Sequence, residues 1–338
     1  MNSIYRVILR RVLKISWHHK WVWLLAFFAA FIGNGGIYEA LLRGFNNVSE
    51  GQSIFFTLQE YARSGVWSMM SWSKLVSLWQ TDPSAFGLNL LGSVTLLCVL
   101  AILIVLSVVS QAGVVYSMVK LDEDEKVGMM QSFRHGIDRF WAVLEINVIT
   151  KLVLLGILTF LTYVASVFYF ENGTWNTVVY IVAFALFMLF GIVVYFLTIY
   201  GTAYAVLRNK NVFPAIKSAW KLFRRHVLLN LEMGLLLFIL NILAAIAFFV
   251  VSFIALSPLI VLYFLFMFSA TNWAAAVVMG LATIIFIIAM ILVGSWWSAF
   301  QLGVWAALFE ELEVKGGKSK IVRWFEATRE HLSKRKKK

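Results

Sequence analysis

Three ionisable side chains, Glu145, Lys151 and Glu232, interrupt long apolar runs of this sequence. A charge carried into hydrocarbon is costly. Such a group either works, in a proton- or cation-linked site or in recognising a polar headgroup, or is drawn out to the interface. Gln111, Tyr200, Tyr204 and Gln301 are the uncharged candidates beside them, able to line a polar pocket or to hydrogen-bond between helices. Length favours the structural alternative. The apolar segment 141–170 makes about 45 Å of helix, against about 30 Å of hydrocarbon. With its outer end at the surface, Lys151 falls near the inner boundary and Glu145 beyond it. The same reasoning covers Glu232 in 228–256. All three can then snorkel or pair with neighbouring basic groups.

Other chemical signatures fail on spacing. GGKS at 316–319 has Leu312 where a phosphate-binding loop needs glycine. The run Asp122-Glu123-Asp124-Glu125 lacks the glycine and the alternation of a calcium loop, and is expected to form the charged start of the next helix. His18, His19, His135, His226 and His331 show no zinc spacing. No nucleophile elbow or other catalytic motif is present. No catalytic residue, metal site or cofactor is therefore expected, and the chain is not read as an enzyme. Asn47-Val48-Ser49 and Asn172-Gly173-Thr174 match glycosylation sequons, which a bacterial origin would make coincidental.

The elements that must hold these residues are membrane spans. Of 338 residues, 61% are hydrophobic and 14% charged, well below the roughly 25% charged residues of a soluble domain. The lone Cys98 lies within an apolar run and allows no intrachain disulfide. Six spans are expected, at 20–42, 88–119, 141–170, 177–206, 228–256 and 272–309. The first is interrupted by Gly33-Asn34-Gly35-Gly36 and is read as uncleaved, since no A-x-A site follows it. Ser257-Pro258 has the form of a helix start, and 257–268 is too short to cross, so a separate helix on the outer surface is expected there. In the outer loop 43–87, Met69, Trp72, Val76 and Trp79 have helical spacing suited to the outer leaflet, or to a lid.

Charge orients the spans. Of the 29 Lys/Arg, 25 fall in segments 1–20, 119–140, 207–227 and 310–338, and only Arg43, Arg63 and Lys74 fall on the other side. Both termini are then expected to be cytoplasmic, in a multi-pass protein of a cell membrane. The net charge of +12 is assigned to this asymmetry and to anionic lipid headgroups as partners, not to nucleic acid.

Each basic segment reads as an amphipathic helix. Ile216, Ala219, Trp220, Phe223 and Val227 share one face, and Lys217, Lys221, Arg224 and Arg225 the other. Met130, Phe133, Ile137 and Phe140/Trp141 oppose Arg134 and Arg139. Tyr5, Ile8/Leu9 and Val12 oppose Arg6, Arg10 and Lys14, while Ile321, Trp324, Phe325, Thr328 and Leu332 repeat the pattern near the end. Such helices lie in an interface, apolar face down, with the basic residues among phosphates. The spans between them align on Gly113, Gly201 and Gly303, with Tyr116 opposite Tyr204. Ser132 and Arg139 likewise match Ser218 and Arg225. The chain thus reads as all-α: one membrane domain, 1–315, of three hairpin units, about 1–119, 120–206 and 207–309. An amphipathic helix and basic tail follow at 316–338.

RRVLKISWHHKWVWLLAFFAAFIG and AIKSAWKLFRRH, placed before hairpin spans, resemble a broad bacterial group of poorly characterised six-span membrane proteins. That group includes the membrane domain attached to some glycerophosphodiester phosphodiesterases. The resemblance covers nearly the whole chain and rests on pattern rather than invariant motifs. It implies the fold and brings no hydrolase domain and no catalytic residue. The expected role is organising, sensing or remodelling the bilayer; the alternative is a transporter or lipid carrier with a polar site near the cytoplasmic span ends.

Overall fold

The computed structural model describes residues 4–32, 72–167, 173–269 and 271–314, and every element in them is helical. In chain order these are α1 (Ile4–His18), α2 (Trp21–Ala30), α3 (Trp72–Thr81), α4 (Pro83–Asp122), α5 (Met129–Asp138), α6 (Phe140–Val167), α7 (Gly173–Leu207), α8 (Val212–Arg225), α9 (Val227–Phe268) and α10 (Asn272–Val314). Five segments among them are long and apolar enough to cross a membrane: 83–122, 140–161, 181–207, 227–268 and 272–314.

The expectation for 20–42 is met only by α2, whose 10 residues make about 15 Å of helix. That length does not cross a bilayer. Residues 33–71 lie outside the described part, and with them Met69 and the first sequon. So do Asn172 of the second sequon and 315–338, which carry GGKS, His331, the last amphipathic pattern and the tail.

Two expectations about helix ends are overturned. Residues 257–268 are not a separate surface helix but the continuation of α9, which runs through Pro258. Proline removes the N–H that would reach the carbonyl of Ile254. The Ser257 hydroxyl donates to that same carbonyl at 2.8 Å, so the bond lost to the ring is replaced from the adjacent side chain. The acidic run 122–125 does not start a helix either. Asp122 ends α4, Glu123 caps it, and Asp124 turns the chain with φ 61°. Glu125 N–H then returns to the Lys120 carbonyl at 3.0 Å, a left-handed helix stop of the kind Asp tolerates. Carboxylates at a helix C-terminus oppose its dipole. Here Lys120 Nζ offsets this from 3.0 Å (Glu123) and 2.9 Å (Glu125), and Arg11 from 3.3 Å (Asp122). The start of α4 follows ordinary rules: Asp82 accepts from the N–H groups of Ser84 and Ala85, with Pro83 at the first position. The Ser84 hydroxyl and then the Ala85 N–H hold the Asp82 pKa below its usual value.

Helices α4, α7 and α10 meet one another along the axis of the bundle. Each has an antiparallel partner: α2 on α4, α6 on α7 and α9 on α10. The short basic helices close the gaps between these pairs, α5 packing on α4, α8 on α7 and α1 on α10. Small residues make the approaches possible. A Cβ on Gly113 would stand 3.0 Å from the carbonyl oxygen of Ser132 in α5, and one on Gly303 would stand 2.7 Å from Val12 Cγ1 in α1. A Cβ on Gly136 of α5 would collide with the carbonyl oxygen of Val109. Ser132 and Gly136, one turn apart, are the buried positions of α5, the short-range contact small residues provide between membrane helices.

The core lies at one end. Its buried residues come from 108–121 of α4, 196–206 of α7, 299–312 of α10, α2, the starts of α6 and α9, and the apolar faces of α1 and α8, with a smaller cluster of Leu154, Leu158, Phe187 and Val194 further along α6 and α7. The rest of α4, α9 and α10 is apolar yet mostly exposed, including Leu97, Ile102, Phe249 and Ile288.

Gly136→Ala is therefore expected to destabilise the bundle by about 1–3 kcal/mol through overpacking. Gly156→Ala, where a Cβ meets nothing within 4 Å, should be neutral or gain up to about 1 kcal/mol of helix propensity. Thermal unfolding of the purified variants in detergent compares the two.

Candidate functional site

The residues singled out as chemical candidates do not converge on one chamber. They form separate bridges between helices. Asn147 Nδ2 of α6 donates to Gln111 Oε1 of α4 at 2.9 Å, and also to the Val143 carbonyl at 2.9 Å. The Tyr200 hydroxyl of α7, fully buried, donates to Asn230 Oδ1 of α9 at 2.5 Å. Asn241 Oδ1 of α9 accepts from Trp297 Nε1 at 2.7 Å and Gln301 Nε2 at 3.2 Å, both of α10. The Tyr5 hydroxyl of α1 donates to Glu232 of α9, which fixes the first amphipathic helix to a carboxylate more than 200 residues away. Each bridge matches one polar group to another, and those of Asn147 and Asn230 are buried.

Tyr204 sits edge-on to Phe309, ring centroids 4.8 Å apart, with Lys210 Nζ 4.2 Å from its own ring centre. Beside it Arg208 joins α7 to α10 through Glu310 at 2.8 Å and Glu313 at 2.7 Å. Burial draws the Arg208 pKa down; the hydrogen bonds to Glu310 and Glu313 outweigh it, and the pKa lies above its usual value. His135 ties α5 to the Val206 carbonyl of α7 at 3.1 Å and stacks on Tyr116, with centroids 4.1 Å apart.

Glu145 is exposed on α6 and has no hydrogen bond or ion pair among the described residues. Lys151, also on α6, is half-buried beside Ser107, Asn147, Phe31 and Ile32, with no carboxylate partner among the described residues. Glu145, Lys151 and Glu232 thus occupy three different settings.

The expected headgroup-binding residues divide in the same physical way. Lys217, Lys221, Arg224, Arg225 and Arg134 are exposed, and Arg139 is half-buried. Arg224 lies 6.0 Å from the Trp220 ring. The apolar face behind the α8 cations, however, is not free to lie on lipid. Val212, Ala215, Ala219, Leu222 and Phe223 are buried in the core, and Phe223 stacks on Phe196 at 5.1 Å. Tyr5, Ile8 and Val12 of α1 are buried likewise. In α5 the expected apolar face stays partly open, with Met130 77% and Trp141, just beyond the helix, 70% exposed, while Phe133 and Phe140 are half-buried against the core and Ser132 and Gly136 make the close contact with α4.

Asn147, Asn230 and Asn241 were missed as candidates, although the sequence carried their signal. An amide inside an apolar run needs a partner, as Gln111 and Gln301 do. Among the described residues, no group of three or more His, Cys, Asp or Glu could hold a metal ion. No family model, curated protein or solved structure matches the chain. Its class rests on the helices: an all-helical chain with five apolar helices of membrane-crossing length, as in a multi-pass integral membrane protein.

If the bridges hold the bundle, Tyr200→Phe should cost about 1–2 kcal/mol, because Asn230 loses its donor. Adding Asn230→Leu should return part of that loss, since removing both partners is cheaper than orphaning one. A double-mutant cycle from thermal melts in detergent measures the coupling.

Proposed function

We propose that this is a non-enzymatic protein of a bacterial inner membrane that organises or senses the lipid around it. The observation that carries the reading is the contrast between the two ends of the bundle. One end is a closed, polar-bridged core rimmed by exposed cations. The other consists of long helices whose apolar side chains face outward.

Tryptophan levels support a membrane register. Trp273, at the outer end of α10, is 75% exposed, and Trp296 and Trp297 lie further along the same helix. The interval is about 35 Å of helix, close to the roughly 30 Å of hydrocarbon between two aromatic belts. Trp17 packs edge-on to Trp296 and lies 6.0 Å from Trp23, extending the inner level onto α1 and α2. Residues past Ser298 then fall inside the cytoplasmic boundary, and with them most of the core, Glu232 and the basic collar. The proposed register puts α1 and the end of α10, which pack together in the core, on the cytoplasmic side, and makes α6–α7 and α9–α10 two spanning hairpins. The cyclic packing of α5 on α4, α8 on α7 and α1 on α10 favours that arrangement. The resemblance to six-span bacterial membrane proteins is of the same kind.

A carrier with a polar site at the inner span ends is the weaker reading. Of the residues that motivated it, Gln111, Tyr200, Gln301 and Glu232 are occupied by Asn147, Asn230, Asn241 and Tyr5, and Tyr204 packs on Phe309, whereas Glu145 and Lys151 have no such partner among the described residues.

Extraction into polymer nanodiscs from membranes of known composition tests the proposal. The wild type should carry an annulus enriched in phosphatidylglycerol. Replacing Lys217, Lys221, Arg224 and Arg225 together by Gln should reduce that enrichment severalfold, at about 1 kcal/mol per cation near the surface. An annulus matching the bulk membrane in both proteins, with unchanged lipid order, would remove the proposal. Cysteines placed at Lys217 should resist impermeant thiol reagents added from the periplasmic side.

A further inference from the structure

Lys151 faces a groove of about 380 Å³ between the end of α2, α4 and α6. We infer that this groove is a binding site for one anionic phospholipid of the inner leaflet, with Lys151 as its phosphate contact. The inference rests on the chain lying in a bilayer, and adds a discrete site to the diffuse contacts of the collar.

The groove has the polarity of such a lipid. Lys151, Ser107 and Asn147 form one part, and Leu100, Leu103 and Ile104 of α4 continue it outward with Phe31 as a wall. Leu100 stands seven residues before Ser107, about 10 Å along the helix, which gives an acyl chain an apolar track. Of the polar groups, Lys151 is the one with donors to spare. Asn147 Nδ2 is engaged by Gln111 and Val143, and the Ser107 hydroxyl donates to the Leu103 carbonyl at 2.6 Å. An apolar groove with a single uncompensated cation complements an amphiphile with a single negative charge.

Depth agrees. The Ser298 hydroxyl of α10 donates to the Ala26 carbonyl of α2, so Ala26 shares the level of the inner tryptophans. Phe31 is about 7 Å further out along α2. A lysine ammonium at that level reaches the headgroup layer along its own stem, as snorkelling side chains do. Glu145, on the same helix, is exposed and is not among the groove residues, and among the described residues no other acidic residue lines the groove.

The test is native mass spectrometry of the full-length protein in mild detergent, titrated with phosphatidylglycerol and with phosphatidylcholine. The wild type should retain one phosphatidylglycerol per chain after delipidation and hold it about tenfold more tightly than phosphatidylcholine. Lys151→Met should lose that preference, Lys151→Arg should keep it, and Ile104→Trp should block the groove with the charge intact. Inorganic phosphate in excess should not displace the lipid. Equal retention of both lipids by the wild type, undiminished phosphatidylglycerol binding by Lys151→Met, or displacement by inorganic phosphate would each overturn the site. The collar variant at Lys217, Lys221, Arg224 and Arg225 should keep the single lipid. Failure of the annular enrichment and failure of this site are therefore read separately.

Discussion

Apolar side chains gain little by leaving hydrocarbon for one another, so a helix bundle in lipid needs other attachments: close backbone approach and matched polar groups. Both are concentrated here at the core ends of α4, α7 and α10. Gly113 accepts the Ser132 carbonyl against its Cα, Gly136 accepts that of Val109, and Gly303 accepts Val12. Around them lie the Gln111–Asn147 and Tyr200–Asn230 bridges and the Arg208 pair with Glu310 and Glu313. The outer halves of α4, α9 and α10 have few such devices and present apolar side chains to their surroundings. Cohesion and lipid exposure are thus assigned to different lengths of the same helices.

That division explains why the helices are so long. α9 and α10 have 42 and 43 residues, about 63 Å each, roughly twice what the hydrocarbon requires. The surplus is not idle. It carries the polar bridges, which would be costly in mid-bilayer, and gives α1 and α8 an apolar wall to pack on. Buried amides and a carboxylate are tolerated there because each has a partner.

Most of the helical plan was legible in the sequence because it follows from periodicity and run length. α8, with its buried and basic sides, and the glycines at 113, 201 and 303 stand out before any coordinates. What was not legible depends on local competition. Ser257-Pro258 reads as a helix start by residue type, yet the serine hydroxyl replaces the missing bond and the helix continues. The acidic run at 122–125 reads as a helix start by charge, yet Lys120 and Arg11 make it a stop. The polar candidates were visible individually, but their pairing was not, because Asn147, Asn230 and Asn241 come from other helices whose register no pattern fixes. The apolar face of α1 is the one buried, and that of α8 is so in part, through Ala219 and Phe223, while Trp220 stays exposed. Their partner was not legible, since an amphipathic face suits lipid and protein equally.

That last ambiguity has a temporal side. α1 is made first, and its partners come much later: Glu232, which holds Tyr5, and Gly303, which receives Val12. At roughly 5–20 residues per second, α1 must wait tens of seconds for α10 to exist. In that interval α1 can already pack on α4, where Arg11 meets Asp122, but the part of its apolar face that α9 and α10 cover has no partner yet. A sequence patterned to suit an interface and a structure that buries the same face in protein are compatible, because the spacing of Tyr5, Ile8 and Val12 finds its match only in the late-arriving α9 and α10.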